Sequence, residues 1–331
     1  MSKQRSNGEA FEFACLEALQ KVITAQDGST VSLIVDDYYE KCRASYEALD
    51  PAGQEDKRFA AEAGMRMILP LEPHLMDNDM FTVSLQHDNK GEEADVRDVL
   101  CAKNSSGWEI GFSCKNNHEA LKHPRLSQKI DFGEKWMGCP CSPAYWEAIA
   151  PIFAEIEDLI AQGADWKNIP DKDDRFYLPL LVAFIDEVKR IYEKIGSEAP
   201  RRMLRYLIGS HDFYKLISND KKRVTTMMPF NFTGKLGQTS EGRRSKIRLS
   251  ALHLPTEFQD IKIKRTDDGE DSKSTAILYC DKGWTVSLRL HNAKTKVERS
   301  LKFDAQLIGH PTALTKTVEA WEERTVDYAQ T

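Results

Sequence analysis

Two strands that the sequence predicts as a β-hairpin place an acid and a lysine at neighbouring ends. Asp98 opens the apolar run that follows it, and Lys115 closes the strand WEIGFSCK that begins at Trp108. Hydrolysis of a phosphodiester needs a carboxylate that holds a divalent metal, a second oxygen ligand beside it and a cation that orients the attacking water. The hairpin therefore supplies two of the groups that this chemistry requires.

The second strand of this hairpin predicts one polar and one apolar face, because side chains alternate along a strand. Alternation separates a polar set from an apolar set: Glu109, Gly111, Ser113 and Lys115 against Ile110, Phe112 and Cys114. A sheet avoids Glu and Lys on a shared buried face unless they meet something polar there. A metal ion and a phosphate would meet that need.

The spacing of these residues resembles the PD-(D/E)xK nuclease pattern, with one departure. Where that pattern has an acid two residues before the lysine, this sequence has Ser113. The missing ligand could come from Glu12, on the first predicted helix, or from Glu109. We therefore expect Asp98, helped by one of these carboxylates and by the backbone carbonyl of Cys114, to hold Mg²⁺, while the hairpin lysine positions a water and helps to deprotonate it.

The segment after the hairpin is dense in side chains of the types that contact phosphates and base edges. Its candidates for DNA contact are Asn116, Asn117, His118, Lys122, His123 and Arg125. With the hairpin, this segment resembles the HaeIII-type restriction endonuclease family, most strongly over Gly91 to Trp136, weakly over Asn7 to Ala14, and again at His291 to Ala293 and Ser300 to Asp304. Membership implies a Mg²⁺-dependent type II enzyme that cuts double-stranded DNA at the palindrome GGCC.

A target made only of G·C pairs needs donors for guanine N7 and O6 and an acceptor for the cytosine amine. We expect Arg125 and Lys122 to contact guanines, with phosphate contact as the alternative for each. A palindrome favours a two-fold homodimer, with a monomer that cuts twice as the alternative. Restriction would also require a cognate DNA methyltransferase in the same host, without a stable complex between the two proteins.

A basic region lies within an otherwise acidic chain. The net charge is −6, yet Arg201 to Arg248 holds twelve Lys or Arg residues against three Asp or Glu residues. Such a region predicts contact with a polyanion, with a solvated charged face as the alternative. The candidates for DNA contact in this region are Arg201, Arg202, Arg205, Arg243 and Arg244.

Hydrophobic periodicity predicts an α/β (α+β) protein, with a restriction-endonuclease-like core of a mixed sheet flanked by helices. Helices are predicted at Asn7 to Ile23, about 36–48, about 55–69, Pro143 to Gln162 and Asp173 to Ile195. Strands are predicted at 81–85, 96–102, 108–114, 262–264, 275–279, 284–290 and 300–307, with a hairpin turn at Asp281 to Gly283. We expect a helix-rich catalytic part at residues 1–200, with its core sheet at about 80–115, and a basic, β-rich DNA-binding part at residues 201–331.

Composition excludes several classes of protein. The 331 residues are 41% hydrophobic and 30% charged, which is typical of a folded, water-soluble chain. No run approaches the roughly 18 apolar residues that span a bilayer, and Met1 to Gly8 lacks a signal-peptide core, so we expect a cytoplasmic protein. Seven cysteines in such a chain favour thiols over disulfides. No GxxxxGK[ST] loop occurs, which argues against ATP-driven chemistry.

Two other interpretations use the same residues. A zinc site could draw on His118, His123, Cys139 and Cys141, but the Cys-x-Cys pair spans too little chain for an ordinary zinc knuckle and no second pair accompanies it. A sequence-specific DNA-binding protein without catalytic activity could use the basic region. That protein would need neither Asp98 nor Lys115 on adjacent strands, and the sequence has no evident helix-turn-helix pattern.

Overall fold

The computed structural model describes residues 3–86, 95–240, 242–245 and 247–322. Gly91 to Ala94, the start of the segment that carries the family resemblance, lies outside the described residues. The chain divides into two compact units, each built from segments that are distant in sequence. Unit 1 comprises Met1–Glu119, Ser210–Leu252 and Thr312–Thr331, and unit 2 comprises Ala120–Gly209 and His253–Pro311.

The described residues form seven α-helices and twelve strands, numbered here in chain order. The helices are α1 Lys3–Thr24, α2 Asp37–Glu47, α3 Pro51–Ile68, α4 Phe132–Met137, α5 Pro143–Ala161, α6 Leu178–Ile195 and α7 Glu198–Ile208. The strands are β1 Thr30–Leu33, β2 Met80–Leu85, β3 Val99–Lys103, β4 Glu109–Asn116, β5 Arg125–Leu126, β6 Phe213–Asn219, β7 Val224–Phe230, β8 Phe258–Arg265, β9 Asp271–Cys280, β10 Thr285–His291, β11 Leu301–Gly309 and β12 Thr317–Ala320. None of the helices in these ranges combines the length and the apolar character needed to cross a bilayer.

Unit 1 contains a seven-stranded mixed sheet in the order β1-β2-β3-β4-β6-β7-β12. The pairs β1–β2 and β4–β6 are parallel, and the other neighbours are antiparallel. Helix α1 packs against this sheet through the predicted apolar stripe, whose six residues are all buried: Phe11, Ala14, Cys15, Ala18, Leu19 and Val22. Helix α3 begins at an Asp50 N-cap followed by Pro51 and ends at Ile68, two residues before Pro70.

Unit 2 contains a five-stranded antiparallel sheet in the order β5-β11-β10-β9-β8. The 3₁₀ turn Asp281–Gly283 joins β9 to β10, as predicted, with Lys282 in the left-handed region at φ 58°. An aromatic cluster of Phe132, Trp136, Phe184 and Phe303 joins α4 and α6 to the apolar face of this sheet, with ring centroids 4.9 to 6.2 Å apart.

The predicted α/β class and the β-rich C-terminal part are confirmed. Strands β6 and β7 were missed, because almost every residue in them is buried and a strand buried on both faces shows no alternation. The predicted boundary at residue 200 does not coincide with the two units. Strands β6, β7 and β12, from the C-terminal part, pair in the same sheet as β1 to β4.

Candidate active site and DNA interface

Asp98 and Lys115 meet where β3 begins and β4 ends. The backbone N–H of Asp98 donates to the Phe112 carbonyl at 2.7 Å, which fixes the acid against β4. Its Oδ2 atom accepts from the Cys114 backbone N–H at 2.6 Å and from Lys115 Nζ at 3.2 Å. The hairpin thus brings together the acid and the lysine that the sequence placed at its two ends.

The charge of Lys115 is set by its neighbours. Burial opposes the ammonium form, but the carboxylates of Asp98 and then Glu12 outweigh it and raise the pKa of Lys115 above its ordinary value. An ammonium donates hydrogen bonds and has no lone pair that could accept a proton. In this state Lys115 can orient a water or a phosphate oxygen, and its part in deprotonating that water stays a prediction.

Glu12 reaches this site from helix α1. Its side chain is buried, and Oε2 accepts from the Tyr38 hydroxyl at 2.8 Å and lies 3.9 Å from Cys42 Sγ. One helical turn further, Cys15 contacts the Cys114 thiol, so this face of α1 packs directly on the end of β4. The tyrosine holds the carboxylate in a fixed position within the core, at the edge that α1 presents to the hairpin.

Glu109 does not join this cluster. Its side chain is 44% exposed and accepts from Arg97 Nη1 at 2.6 Å. Along β4, Glu109 lies four residues before Ser113, whose hydroxyl is 3.4 Å from Asp98 Oδ2. Four residues of strand span about 13 Å. Of the two carboxylates that the sequence left open as the second ligand, Glu12 is the one beside the hairpin ends.

The atoms at this site that could bind a metal are oxygen atoms, which Mg²⁺ prefers as ligands. Two carboxylates, Asp98 and Glu12, come from different elements. The Cys114 carbonyl lies on the same side of β4 as its N–H, which bonds to Asp98, because both groups of one residue point the same way in a strand. Within the described ranges no three His, Cys, Asp or Glu side chains gather into a metal cluster, so further ligands would have to be backbone, water or phosphate oxygens.

A second lysine, absent from the predicted site, lies beside this hairpin. The parallel register of β4 and β6 places Lys215 next to Ser113, the residue at the position of the missing acid. Lys215 is 4% exposed and donates to the Glu119 carbonyl at 2.8 Å. Burial, followed by the charge of Lys115, lowers the pKa of Lys215 to about 7. The only sequence signal was a single lysine inside the apolar run FYKLI.

The two asparagines that follow Lys115 hold strands together. Asn116 is buried, and its Nδ2 donates to Ser218 Oγ at 2.8 Å and to Asp220 Oδ1 at 3.0 Å. Asn117 takes a left-handed φ of 60°, donates to Asp220 Oδ2 at 2.7 Å and accepts from the Asp220 N–H at 2.8 Å. These amides join the ends of β4 and β6, and their contact with DNA stays a prediction. His118, from the same prediction, is half-buried.

Comparison with known proteins decides the family. A model of the HaeIII restriction endonuclease family matches residues 8–311. The Type II restriction enzyme HaeIII of Haemophilus aegyptius is 41% identical over 323 residues, which cover 97% of this chain and 99% of that enzyme. The chain belongs to the HaeIII restriction endonuclease family. No solved structure matches it.

Membership in the HaeIII family covers far more of the chain than the segment that suggested it. The resemblance was strongest over Gly91 to Trp136, whereas the family match includes nearly all of both units. Enzymes of this family are type II restriction endonucleases, so a nuclease is favoured over a DNA-binding protein without catalytic activity. Double-stranded DNA is the partner that such an enzyme requires.

In unit 2 of this family member, the remaining residues of the segment after Lys115 contact their own unit. Lys122 Nζ lies 3.9 Å from the ring centroid of Tyr206, and His123 Nδ1 is 3.8 Å from Asp304 Oδ1. Arg125 Nη1 donates to Ser300 Oγ at 2.8 Å. Arg125 Nη1 also lies 3.4 Å from Glu298 Oε2, and the Arg125 side chain is 37% exposed. Contact of Lys122, His123 and Arg125 with DNA stays a prediction.

The basic residues of the Arg201 to Arg248 region divide between the two units. On α7 in unit 2, Arg201 and Arg202 both pair with Glu198, at 2.7 and 3.2 Å, while Arg205 is exposed. In unit 1, Arg243 and Arg244 are exposed on a turn, and Arg243 donates to the Met76 carbonyl. The predicted basic region thus contributes arginines to both units, and their contact with DNA stays a prediction.

The cysteines considered for zinc have local contacts in unit 2. Cys139 and Cys141 are buried just after α4. The Asp131 carboxylate accepts from the Cys141 N–H at 3.1 Å and caps α4 through Glu134 N–H at 2.9 Å. The N–H of Gly133 donates to Cys141 Sγ at 3.3 Å. Asp131 and Cys141 thus close the start of a short helix.

Proposed function

We propose that this member of the HaeIII family hydrolyses double-stranded DNA at GGCC, with Mg²⁺ bound by Asp98, Glu12 and the Cys114 carbonyl. The observation that supports this most directly is the contact between Asp98, at the start of β3, and Lys115, at the end of β4, together with the charge of Glu12 on α1, which acts on the same lysine. Hydrolysis of a phosphodiester requires acids that hold a metal and a cation beside them, and the ends of β3 and β4 with helix α1 supply both.

In this mechanism the protein supplies position and charge. The Cys114 N–H fixes Asp98 Oδ2, and the Tyr38 hydroxyl fixes Glu12, so that neither carboxylate must reorganise when it takes up a cation. When bound, Mg²⁺ would polarise the scissile phosphate and stabilise the charge that develops on it. Lys115, as an ammonium, holds the attacking water or a phosphate oxygen in line with the scissile bond.

The partners follow from the palindromic target. A two-fold homodimer would place one active site on each DNA strand, and a monomer that cuts twice is the alternative. Restriction at GGCC requires that a methyltransferase in the same host protect that host's own sites. The DNA of an invader and the host chromosome are both met in the cytoplasm, which is where we place the enzyme.

Cleavage of a plasmid with Mg²⁺, against EDTA, tests this proposal. Asp98→Ala and Lys115→Ala should each abolish cleavage while the far-UV CD spectrum and DNA affinity measured with Ca²⁺ stay near the wild-type values. The matched controls are Asp174→Ala and Lys273→Ala, which remove an exposed Asp–Lys pair of 2.6 Å in unit 2. Near-normal cleavage by either hairpin variant would remove the proposed active site. DNA binding by the wild type without any cleavage would instead favour the non-catalytic alternative.

A further inference from the structure

The five-stranded sheet of unit 2 has one apolar face and one polar face. On β10 and β11 the buried residues are Val286, Leu288, Leu290, Leu301, Phe303 and Ala305. The residues between them point the other way. On that side Arg289 is 60% exposed, and Gln306 is exposed as well. An antiparallel sheet commonly turns such a face to solvent.

The centre of this polar face is a cross-strand pair. The β10–β11 register sets Arg289 directly opposite Asp304, and Arg289 Nη2 lies 3.4 Å from Asp304 Oδ2. Gln306 Nε2 donates to the same oxygen at 3.0 Å, and His123 Nδ1 lies 3.8 Å from Oδ1. The Asp304 side chain is 13% exposed, whereas its arginine partner extends into solvent. The carboxylate is therefore held in place by its neighbours while the guanidinium keeps its reach.

The surroundings of this pair carry excess positive charge. Lys302 lies two residues before Asp304, and the register of β5 and β11 sets Arg125 opposite Lys302. Glu298 Oε2 lies 3.4 Å from Arg125 Nη1, so three cations, Arg289, Lys302 and Arg125, accompany two carboxylates, Asp304 and Glu298. Burial, then the charge of Arg125, lowers the pKa of Lys302. The Arg289–Asp304 pair adds little to the free energy of unfolding, because its guanidinium is exposed to solvent. Crowded cations on an exposed face instead favour an anionic partner.

Arginine beside a carboxylate matches the major-groove edge of one G·C base pair. Guanine presents two acceptors, N7 and O6, and the cytosine amine next to them is a donor. We propose that Arg289 donates to guanine N7 and O6 while Asp304 accepts from the N4 amine of the paired cytosine. An A·T pair would keep the N7 acceptor, but it would set the adenine amine against the second donor of Arg289 and the thymine O4 against the carboxylate of Asp304.

This assignment rests on the proposed function, since it takes DNA as the substrate, and it adds the residues that select the sequence. Arg125 is already bonded to Ser300 and Glu298, and Lys122 lies on Tyr206, so both suit phosphate contact better than base contact. Gln306 and His123 are positioning residues here, because they act on the base pair through the orientation of Asp304.

The test removes the same contacts from the protein and from the DNA. Binding is measured with Ca²⁺, and kcat/KM with Mg²⁺, on GGCC duplexes with 7-deazaguanine or the 4-amino-free base 2-pyrimidinone placed at one position at a time. The wild type should bind and cleave the duplex that lacks the recognised atom about five- to 150-fold less well than the unmodified duplex. Arg289→Ala should bind the unmodified and the 7-deazaguanine duplexes equally well, and Asp304→Ala should bind the unmodified and the pyrimidinone duplexes equally well. In each case the variant has already lost the protein side of the contact that the modified base removes from the DNA.

The matched controls are Arg265→Ala and Asp271→Ala, which remove another cross-strand pair of the same sheet, 3.9 Å apart. These variants should bind both modified duplexes less well than the unmodified one, as the wild type does. If Arg289→Ala and Asp304→Ala do the same, or weaken every duplex by one common factor, the pair is a surface ion pair or a phosphate contact and the proposal is wrong. Cleavage of GGCC by the wild type and its loss in Asp98→Ala, measured on the same duplexes, shows separately whether the proposed function stands.

Discussion

Lys215 offers a test of the electrostatics beside the active site through protein stability. The lysine is buried with its Nζ on the Glu119 carbonyl at 2.8 Å, and its pKa falls from 10.5 to about 7. The unfolded chain therefore binds a proton that the folded chain lacks between pH 7 and pH 10.5. Because the unfolded state binds more protons in this window, the contribution of Lys215 to stability rises with pH there and is most unfavourable below pH 7.

The magnitude follows from the difference in pKa. A shift of 3.5 units from 10.5 to 7 corresponds to a penalty of about 5 kcal/mol at pH 6. Replacement by methionine, which has a similar length, removes this penalty but leaves the Glu119 carbonyl without its donor, at a cost of about 1 to 3 kcal/mol. We expect Lys215→Met to be more stable than the wild type by about 2 to 4 kcal/mol at pH 6, and this advantage to fall by about 3 kcal/mol by pH 9.5.

Urea unfolding at pH 6, 7.5 and 9.5, followed by tryptophan fluorescence, measures the difference. The control is Lys57→Met, which removes another buried lysine, 4% exposed, whose Nζ lies 2.9 Å from Asp220 Oδ1. Because that change removes the cation that pairs with the Asp220 carboxylate, the variant should be less stable than the wild type at pH 6. A difference between Lys215→Met and the wild type that is the same at every pH would refute the argument.

The remaining predictions concern the metal and the DNA. Glu12→Gln should lower the rate of cleavage, and excess Mg²⁺ or Mn²⁺ should partly restore it. Glu109→Gln, which changes an exposed carboxylate, should cleave at nearly the wild-type rate. The opposite ranking of the two variants in a metal titration would assign the second ligand to Glu109. Arg205→Ala should reduce the magnitude of the log–log salt slope of binding by about 0.9 and leave the preferred sequence unchanged, because one phosphate contact is lost. Arg265→Ala should leave that slope as it is, and equal slopes for the wild type and Arg205→Ala would mean that α7 faces solvent.

Local patterns alone placed the elements that carry the chemistry. The apolar stripe of α1 appears within six helical turns, and the β3–β4 hairpin needs only the 18 residues from Asp98 to Lys115. Both depend on periodicity and on a short connection, which neighbouring residues determine among themselves. For the same reason the Asp281–Gly283 turn was predicted correctly. Asp98 and Lys115 could therefore be paired from the sequence before any long-range contact was known.

Contacts between distant segments decided the rest. Whether Glu12 or Glu109 lies at the hairpin ends depends on how α1 packs on β4, and no local pattern records that packing. The parallel pairing of β4 with β6 joins residues about one hundred positions apart. This pairing sets Lys215 beside Ser113 and uses the amides of Asn116 and Asn117 to join strands. The sequence by itself determined which groups were available for catalysis, and only the tertiary structure decided which of them meet, because side-chain chemistry is local whereas the pairing of distant strands depends on packing throughout the unit.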